Sequence, residues 1–149
     1  MSILEVTAED DRLKACQEQY FKEISIRFNQ VFDPYAGEGN AMDKARQWHV
    51  VSLDDGNAIG CGSLRDLGKG IAEVKRVWIS KDARGQGLAK AIMDWLEDKA
   101  GAEGFSAIRL DTNRTLNEAQ VMYRKRGYQE INRYNDNPFA HHFFEKIIG

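Results

Sequence analysis

The sequence predicts one α/β domain, residues 1–149, built on a single mixed sheet. Three stretches carry that prediction. Residues 77–89 read as the end of a strand, a tight turn holding Gly85 and Gly87, and the start of a helix. Residues 47–79 hold three strand-like segments joined by short glycine turns, the pattern of an antiparallel meander. Residues 107–112 read as a strand reached through a helix, so parallel pairing is expected there.

Composition bounds what such a domain does. The 149 residues suffice for one domain with a core, and 42% apolar with 30% charged residues is ordinary for a globular protein. The 21 basic and 23 acidic residues leave a net charge of −2, without the basic excess of a general nucleic-acid binder. No apolar run approaches the roughly 20 residues that span a bilayer. Residues 1–5 lack the basic region and apolar core of a signal peptide. The expected setting is therefore cytoplasmic, with no membrane and no nucleic-acid partner. Cys16 and Cys61 have no metal-like spacing and read as reduced, buried thiols.

In chain order, residues 3–6 form a short strand. Thr7 is expected to cap a helix, with Asp10 three positions on. Leu13, Cys16, Tyr20, Ile24 and Phe28 recur at spacings of three and four, an amphipathic stripe that should end near residues 31–33, before Pro34. Residues 33–40 form a loop, acidic at Asp33 and Glu38 with Asp43 close behind. It is either a solvated connection or a lip that attracts cations. Strands follow at residues 47–53, 58–67 and 71–79, with turns at Asp54-Asp55-Gly56-Asn57 and Gly68-Lys69-Gly70. Gly60 and Gly62 are expected to loosen the middle strand. The next helix should run to about Ala102, ended by Gly101 and Gly104. After the strand at residues 107–112, Thr115 and Glu118 form a capping box for a helix that Gly127 ends. Strands at residues 128–134 and 140–147 close the chain, with Asn135-Asp136-Asn137-Pro138 between them.

The glycine turn carries the chemistry. A helix start leaves backbone N–H groups without partners and a partial positive charge, which suits an anion, most often a phosphate. The dinucleotide fingerprint would need glycine or alanine where Lys90 stands, and the phosphate loop of nucleotide hydrolases would need Gly-Lys-Ser/Thr. Neither is present. Arg84-Gly85-Gln86-Gly87-Leu88-Ala89 instead resembles the acetyl-CoA pyrophosphate loop of the GNAT superfamily of N-acetyltransferases. The strand Glu73-Val74-Lys75-Arg76-Val77-Trp78-Ile79 is similar to the strand before that loop. Asn117, Ala119 and Tyr123 are similar to the family's later helix, and Gly127-Tyr128 to its closing turn. Small bacterial members also pair Glu-x-Lys-Arg with a late Tyr-x-x-Asn-Pro loop, here Tyr134 to Pro138. The resemblance implies the GNAT acyl-CoA N-acyltransferase fold, β-α-α-β-β-β-α-β-α-β-β, with a mixed, partly splayed sheet.

The resemblance also implies an activity, the direct transfer of an acetyl group from acetyl-CoA to a primary amine of a small molecule or of a peptide or protein. Residues 84–89 would hold the pyrophosphate: Arg84, Gly85, Gln86, Gly87, Leu88 and Ala89. The backbones of Val77 and Ile79 would pair with the pantetheine arm, and Asn117 would reach it or else bond locally. Tyr123 would protonate the departing thiolate. Glu73, expected on one strand face with Lys75, Val77 and Ile79, is a candidate base or an ion-pair partner. His49 is a competing base. His141 and His142 point to opposite faces and no metal site is expected. A catalytically silent CoA-binding sensor or partner-binding module is the competing function. A homodimer is open, because Phe143-Phe144 could pair across an interface or fill the core.

Overall fold

The strand–turn–helix and the meander fall on one seven-stranded sheet, in the order β1-β2-β3-β4-β5-β7-β6. The computed structural model describes residues 2–29, 33 and 45–149. Its elements are β1 (Ser2–Val6), α1 (Asp11–Phe28), β2 (Gln47–Asp54), β3 (Asn57–Gly68), β4 (Ile71–Ile79), a short 3-10 turn (Lys81–Ala83), α2 (Leu88–Ala102), β5 (Ala107–Thr112), α3 (Asn117–Lys125), β6 (Gln129–Ile131) and β7 (His142–Ile147). A second helix before β2, and the acidic lip apart from Asp33, lie outside the described residues.

The meander forms because its turns supply the required backbone. Asp55 and Gly56, at φ 51 and 82, make the tight hairpin turn from Asp54 to Asn57. β1 through β4 are antiparallel, and β5 returns parallel to β4 after the α2 crossover, as expected. The parallel ladder is short. It joins Ile71, Ala72 and Glu73 to Ala107, Ile108 and Arg109 and stops there. Beyond Glu73 the two strands part, so the sheet is splayed.

Each face of the sheet holds its own core. One packs Val74, Val77 and Ile79 against Ile92, Met93 and Leu96 of α2, with Ile108, Leu110 and Phe144. Ile92, Met93 and Leu96 are fully buried, and each such side chain stabilises the fold by roughly 1.5–3 kcal/mol. The other joins Leu13 and Cys16 of α1 to Val51, Cys61 and Trp78. Cys16 and Cys61 are buried free thiols. Gly62 does not loosen β3. A Cβ there would stand 2.7 Å from Ile92, so the missing side chain lets α2 approach.

Several local expectations are corrected. Asp10, not Thr7, caps α1, accepting a bond from the Arg12 N–H at 2.9 Å. α1 ends at Phe28 with Asn29 in the left-handed region. α3 begins at Asn117 without a side-chain cap, because Thr115 is drawn to Asn113 and Glu118 to Arg27. β6 spans three residues, since Arg133 turns the following chain by bonding the carbonyls of Asn137 and Ala140. Phe143 and Phe144 are buried, and β7 lies between β5 and β6. They fill the chain's own core and are closed to pairing across an interface.

Candidate functional site

The splay between β4 and β5 opens a cavity of 410 Å³. Its making begins at Arg76, whose φ of 57 is rare for a non-glycine residue. There β4 carries an extra residue, and the register with β3 slips between Cys61 and Ser63. The Cys61 thiol donates to the Arg76 carbonyl at 3.5 Å and fixes the kink. The bulge shifts the side-chain alternation by one. Glu73 therefore does not share a face with Val77 and Ile79, as simple alternation required. Val77 and Ile79 pack on the α2 face, while Glu73 sits on the α1 face with Lys75. From Val74 onward, no strand among the described residues pairs with β4 on its β5 side, which leaves an open backbone edge along the cavity.

The loop after β4 closes one end. Gly85 and Gly87 hold φ of 81 and 80, which disfavours side chains, and among the described residues no atom beyond their chain neighbours lies within 4 Å of where a Cβ would stand. Gly87 caps α2 without a side-chain bond, and the first turn of α2 holds no acidic residue. The first N–H groups of α2 thus face outward with the positive end of a helix of 15 residues. That arrangement fits a pyrophosphate.

Of the expected cofactor residues, Val77, Ile79, Arg84, Gly85, Gly87, Leu88 and Ala89 line the cavity. Gln86 and Asn117 are exposed outside its lining. Arg84 differs from expectation. Its Nε donates to the Ile79 carbonyl at 2.9 Å and its Nη2 to both oxygens of Glu23 at 2.7 and 2.6 Å. The side chain ties α1 to the loop, so what the loop offers an anion is backbone.

Tyr123 stands in the cavity wall, stacked edge-on to Tyr128 and tilted against Phe144. Burial, with the charge of Asp111 second, pushes its phenol up to about 12. It keeps its proton at neutral pH. Tyr20 of α1 lines the same space, its phenol also raised by burial, with the Asp111 carboxylate adding to it.

Glu73 has no exposed surface and is not part of the lining. Arg65 Nε donates to its Oε1 at 2.7 Å, Lys75 Nζ lies 3.7 Å away, and the Tyr134 hydroxyl donates to Oε2 at 2.5 Å. Tyr134 also packs edge-on to Phe143, beneath the Arg109 guanidinium. Two residues beyond Arg109, Asp111 accepts from the side-chain amides of Asn135 at 2.6 Å and Asn137 at 3.5 Å. The late Tyr-x-x-Asn-Pro loop is thus bound to two acidic residues of adjacent strands, which gives its pairing with the β4 glutamate a physical reason.

Sequence reasoning missed Tyr20, Asp111, Asn113 and Phe139. Asn113 is buried, donates to the Phe139 carbonyl at 2.6 Å and accepts from Thr115, fixing the entry to α3. The only signal for Tyr20 was its place on the α1 stripe. His49, the competing base, is buried away from the cavity, with Nδ1 2.7 Å from the Ser63 hydroxyl. Burial and Arg76 lower its pKa. His142 contacts Glu130 and His141 accepts from the Arg114 N–H, so the two point apart. Among the described residues no cluster of His, Cys, Asp or Glu has metal-site geometry.

Comparison with known proteins agrees with this geometry. The sequence pattern of the acetyltransferase (GNAT) family matches residues 9–128. An N-acetyltransferase of Schizosaccharomyces pombe is 25% identical over 99% of this chain and 93% of its own. An IAA acetyltransferase of Azospirillum brasilense is 33% identical over 54% of each chain, so the match spans about half of that relative. Among solved structures, a GNAT acetyltransferase of Staphylococcus aureus shares the fold with a TM-score of 0.80 at 17% identity, covering 98% of this chain and 99% of that one. The PaiA N-acetyltransferase of Thermoplasma acidophilum, solved with coenzyme A, has a TM-score of 0.74 at 15% identity, covering 99% and 100%. No described helix is long and apolar enough to cross a membrane. A cavity at a splayed β4, a glycine loop capping α2 and a family match over most of the chain lead to one conclusion: the chain belongs to the acetyltransferase (GNAT) family and is an N-acetyltransferase, its family's activity being acetyl-CoA-dependent N-acetyl transfer.

Proposed function

We propose that the donor is acetyl-CoA, held between β4 and the α2 loop, and that the acceptor is a primary amine of a small molecule or peptide. The observation that carries the reading is the junction of the open β4 edge with the uncapped start of α2 in one cavity. The N–H groups from Gly85 to Ala89 hold the pyrophosphate, with Arg84 and Gln86 shaping the loop. The backbone of Val77 and Ile79, on the β4 edge beyond its pairing with β5, aligns the pantetheine arm, and Asn117 at the start of α3 reaches its outer side. When bound, acetyl-CoA supplies the activated thioester. The acceptor nitrogen, as the free amine, then attacks the thioester carbonyl; the carbon–sulfur bond breaks, Tyr123 gives its proton to the leaving sulfur, and the proton shed by the acylated nitrogen returns through solvent to the Tyr123 phenolate. The phenol keeps its proton at neutral pH, so the proton is there to give when the thiolate forms, while burial makes it a weaker acid.

Glu73 is assigned an anchoring role. Both of its oxygens are occupied by Arg65 and Tyr134, which supports the ion-pair reading over the base. A silent CoA sensor would leave Tyr123 without a task in the cavity wall. The free thiols at Cys16 and Cys61 support a reducing, cytoplasmic setting.

The test is a titration of CoA and an amine-library screen that follows thiol release from acetyl-CoA. Saturable CoA binding with thiol release for some amine is expected. Absence of a thermal shift at millimolar CoA would remove the donor assignment.

A further inference from the structure

The acids in the cavity wall differ in what neutralises them. Glu23 is paired with Arg84 and Glu118 with Arg27. Among the described residues Asp111 is held by the neutral amides of Asn135 and Asn137, and no Lys or Arg nitrogen stands within salt-bridge distance of it. Arg109, its neighbour on the same face of β5, is engaged by Glu145 at 2.8 Å. Asp111 is half-buried and lies past the point where β4 and β5 separate, so its carboxylate borders the cavity rather than a strand. A half-buried carboxylate with neutral partners is an incomplete ion pair, and a cation that completes it gains a charge-assisted bond in a shielded place.

The surroundings give the rest of the ligand. Tyr20, Phe28, Phe139 and Tyr123 line the same cavity. Phe28 and Phe139 are stacked with centroids 6.1 Å apart, so α1 and the late loop meet as an apolar wall. The carboxylate of Asp111 adds to the upward shift of the Tyr20 and Tyr123 phenols, which line the cavity with it.

We propose that Asp111 seats the acceptor's ammonium group and that the acceptor is a primary amine bearing a ring-sized apolar body, held between Tyr20, Phe28 and Phe139. This rests on the acetyltransferase reading and names the acceptor class for it. Asn135 and Asn137 are positioning residues, since they hold the carboxylate and leave its outer side to the amine.

Calorimetric titration with 2-phenylethylamine and its uncharged counterpart 2-phenylethanol tests the proposal without a donor present. The amine should bind wild-type protein about tenfold more tightly than the alcohol, or better, as expected for a charge-assisted bond. Asp111→Asn, nearly the same shape, should abolish that preference while CoA titrates unchanged. Equal binding of amine and alcohol to the wild type, no binding of the amine, or a preference that survives in Asp111→Asn overturns the proposal. The wild-type comparison stands even where the variant fails to fold. Failure of CoA to bind would count against the donor site alone, because the amine titration reads Asp111 independently.

Discussion

From Val77 to Ala89 the cavity wall is backbone: an open strand edge, two left-handed glycines and the first turn of α2. The opposite wall is side chains brought together from distant parts of the chain. Tyr134 reaches Glu73 across 61 positions, Asn135 reaches Asp111 across 24, and Phe139 stacks on Phe28 of α1. Backbone groups recognise what every donor of one class has in common, the pyrophosphate and the amide-bearing arm. Side chains can be exchanged without disturbing the backbone hydrogen bonds of the sheet and helices. On the proposed reading, generic donor binding falls on one wall and acceptor choice on the other.

The comparison breaks most readily at Glu73. If it is an anchor, Glu73→Ala leaves Arg65 as a buried, unpaired charge, its side chain only 12% exposed. Stability should fall by about 3–5 kcal/mol, measured by urea unfolding. Molecules that remain folded should keep an acidic limb in the pH–rate profile. A loss of that limb with stability intact would restore Glu73 as the base.

Next in size is Tyr123→Phe. Loss of the acid should lower kcat about 100-fold, equivalent to about 2.7 kcal/mol, with CoA affinity little changed. Steady-state kinetics beside a CoA titration separates the two effects. Undiminished turnover would return Tyr123 to packing against Tyr128 and Phe144. The donor wall is tested by Gly87→Val. A branched side chain at φ 80 strains the loop by roughly 1–2 kcal/mol and should weaken CoA binding, while 2-phenylethylamine binding stays the same. Equal loss for both ligands would mean that the walls are not separate.

The same division explains what was legible in the sequence. Short-range chemistry was readable: the hairpin at Asp55-Gly56, the bounds of β4 and β5, the glycine loop and Tyr123 all rest on neighbouring residues. Long-range pairings were not. The alternation that put Glu73 beside Val77 failed because one bulge, fixed by Arg76 and the Cys61 thiol, adds a residue that no local pattern marks. Thr115 looked like a helix cap because its competitor, Asn113, carries no signal of where Phe139 will lie. Asp111 read as a strand end, and only the folded loop at residues 135–137 turns it into a half-buried carboxylate with neutral partners.

The smallest expected effect lies where the walls touch. Glu23 of the α1 wall holds the Arg84 guanidinium on the donor wall, an arrangement that is 41% exposed on the arginine side. A pair this open contributes only about 0.2–1 kcal/mol to stability, so Glu23→Gln should lower the melting temperature slightly. Its effect on the donor has the opposite sign. Freed from Glu23, the guanidinium remains tethered by the Ile79 carbonyl and can turn its charge toward the loop. CoA binding should then tighten by about two- to fivefold at low ionic strength, with the gain disappearing in high salt as screening removes it. Calorimetry of CoA at two salt concentrations reads this directly. Weaker binding at low salt would mean that Arg84 serves the donor by being held in place, and that α1 is part of the donor wall after all.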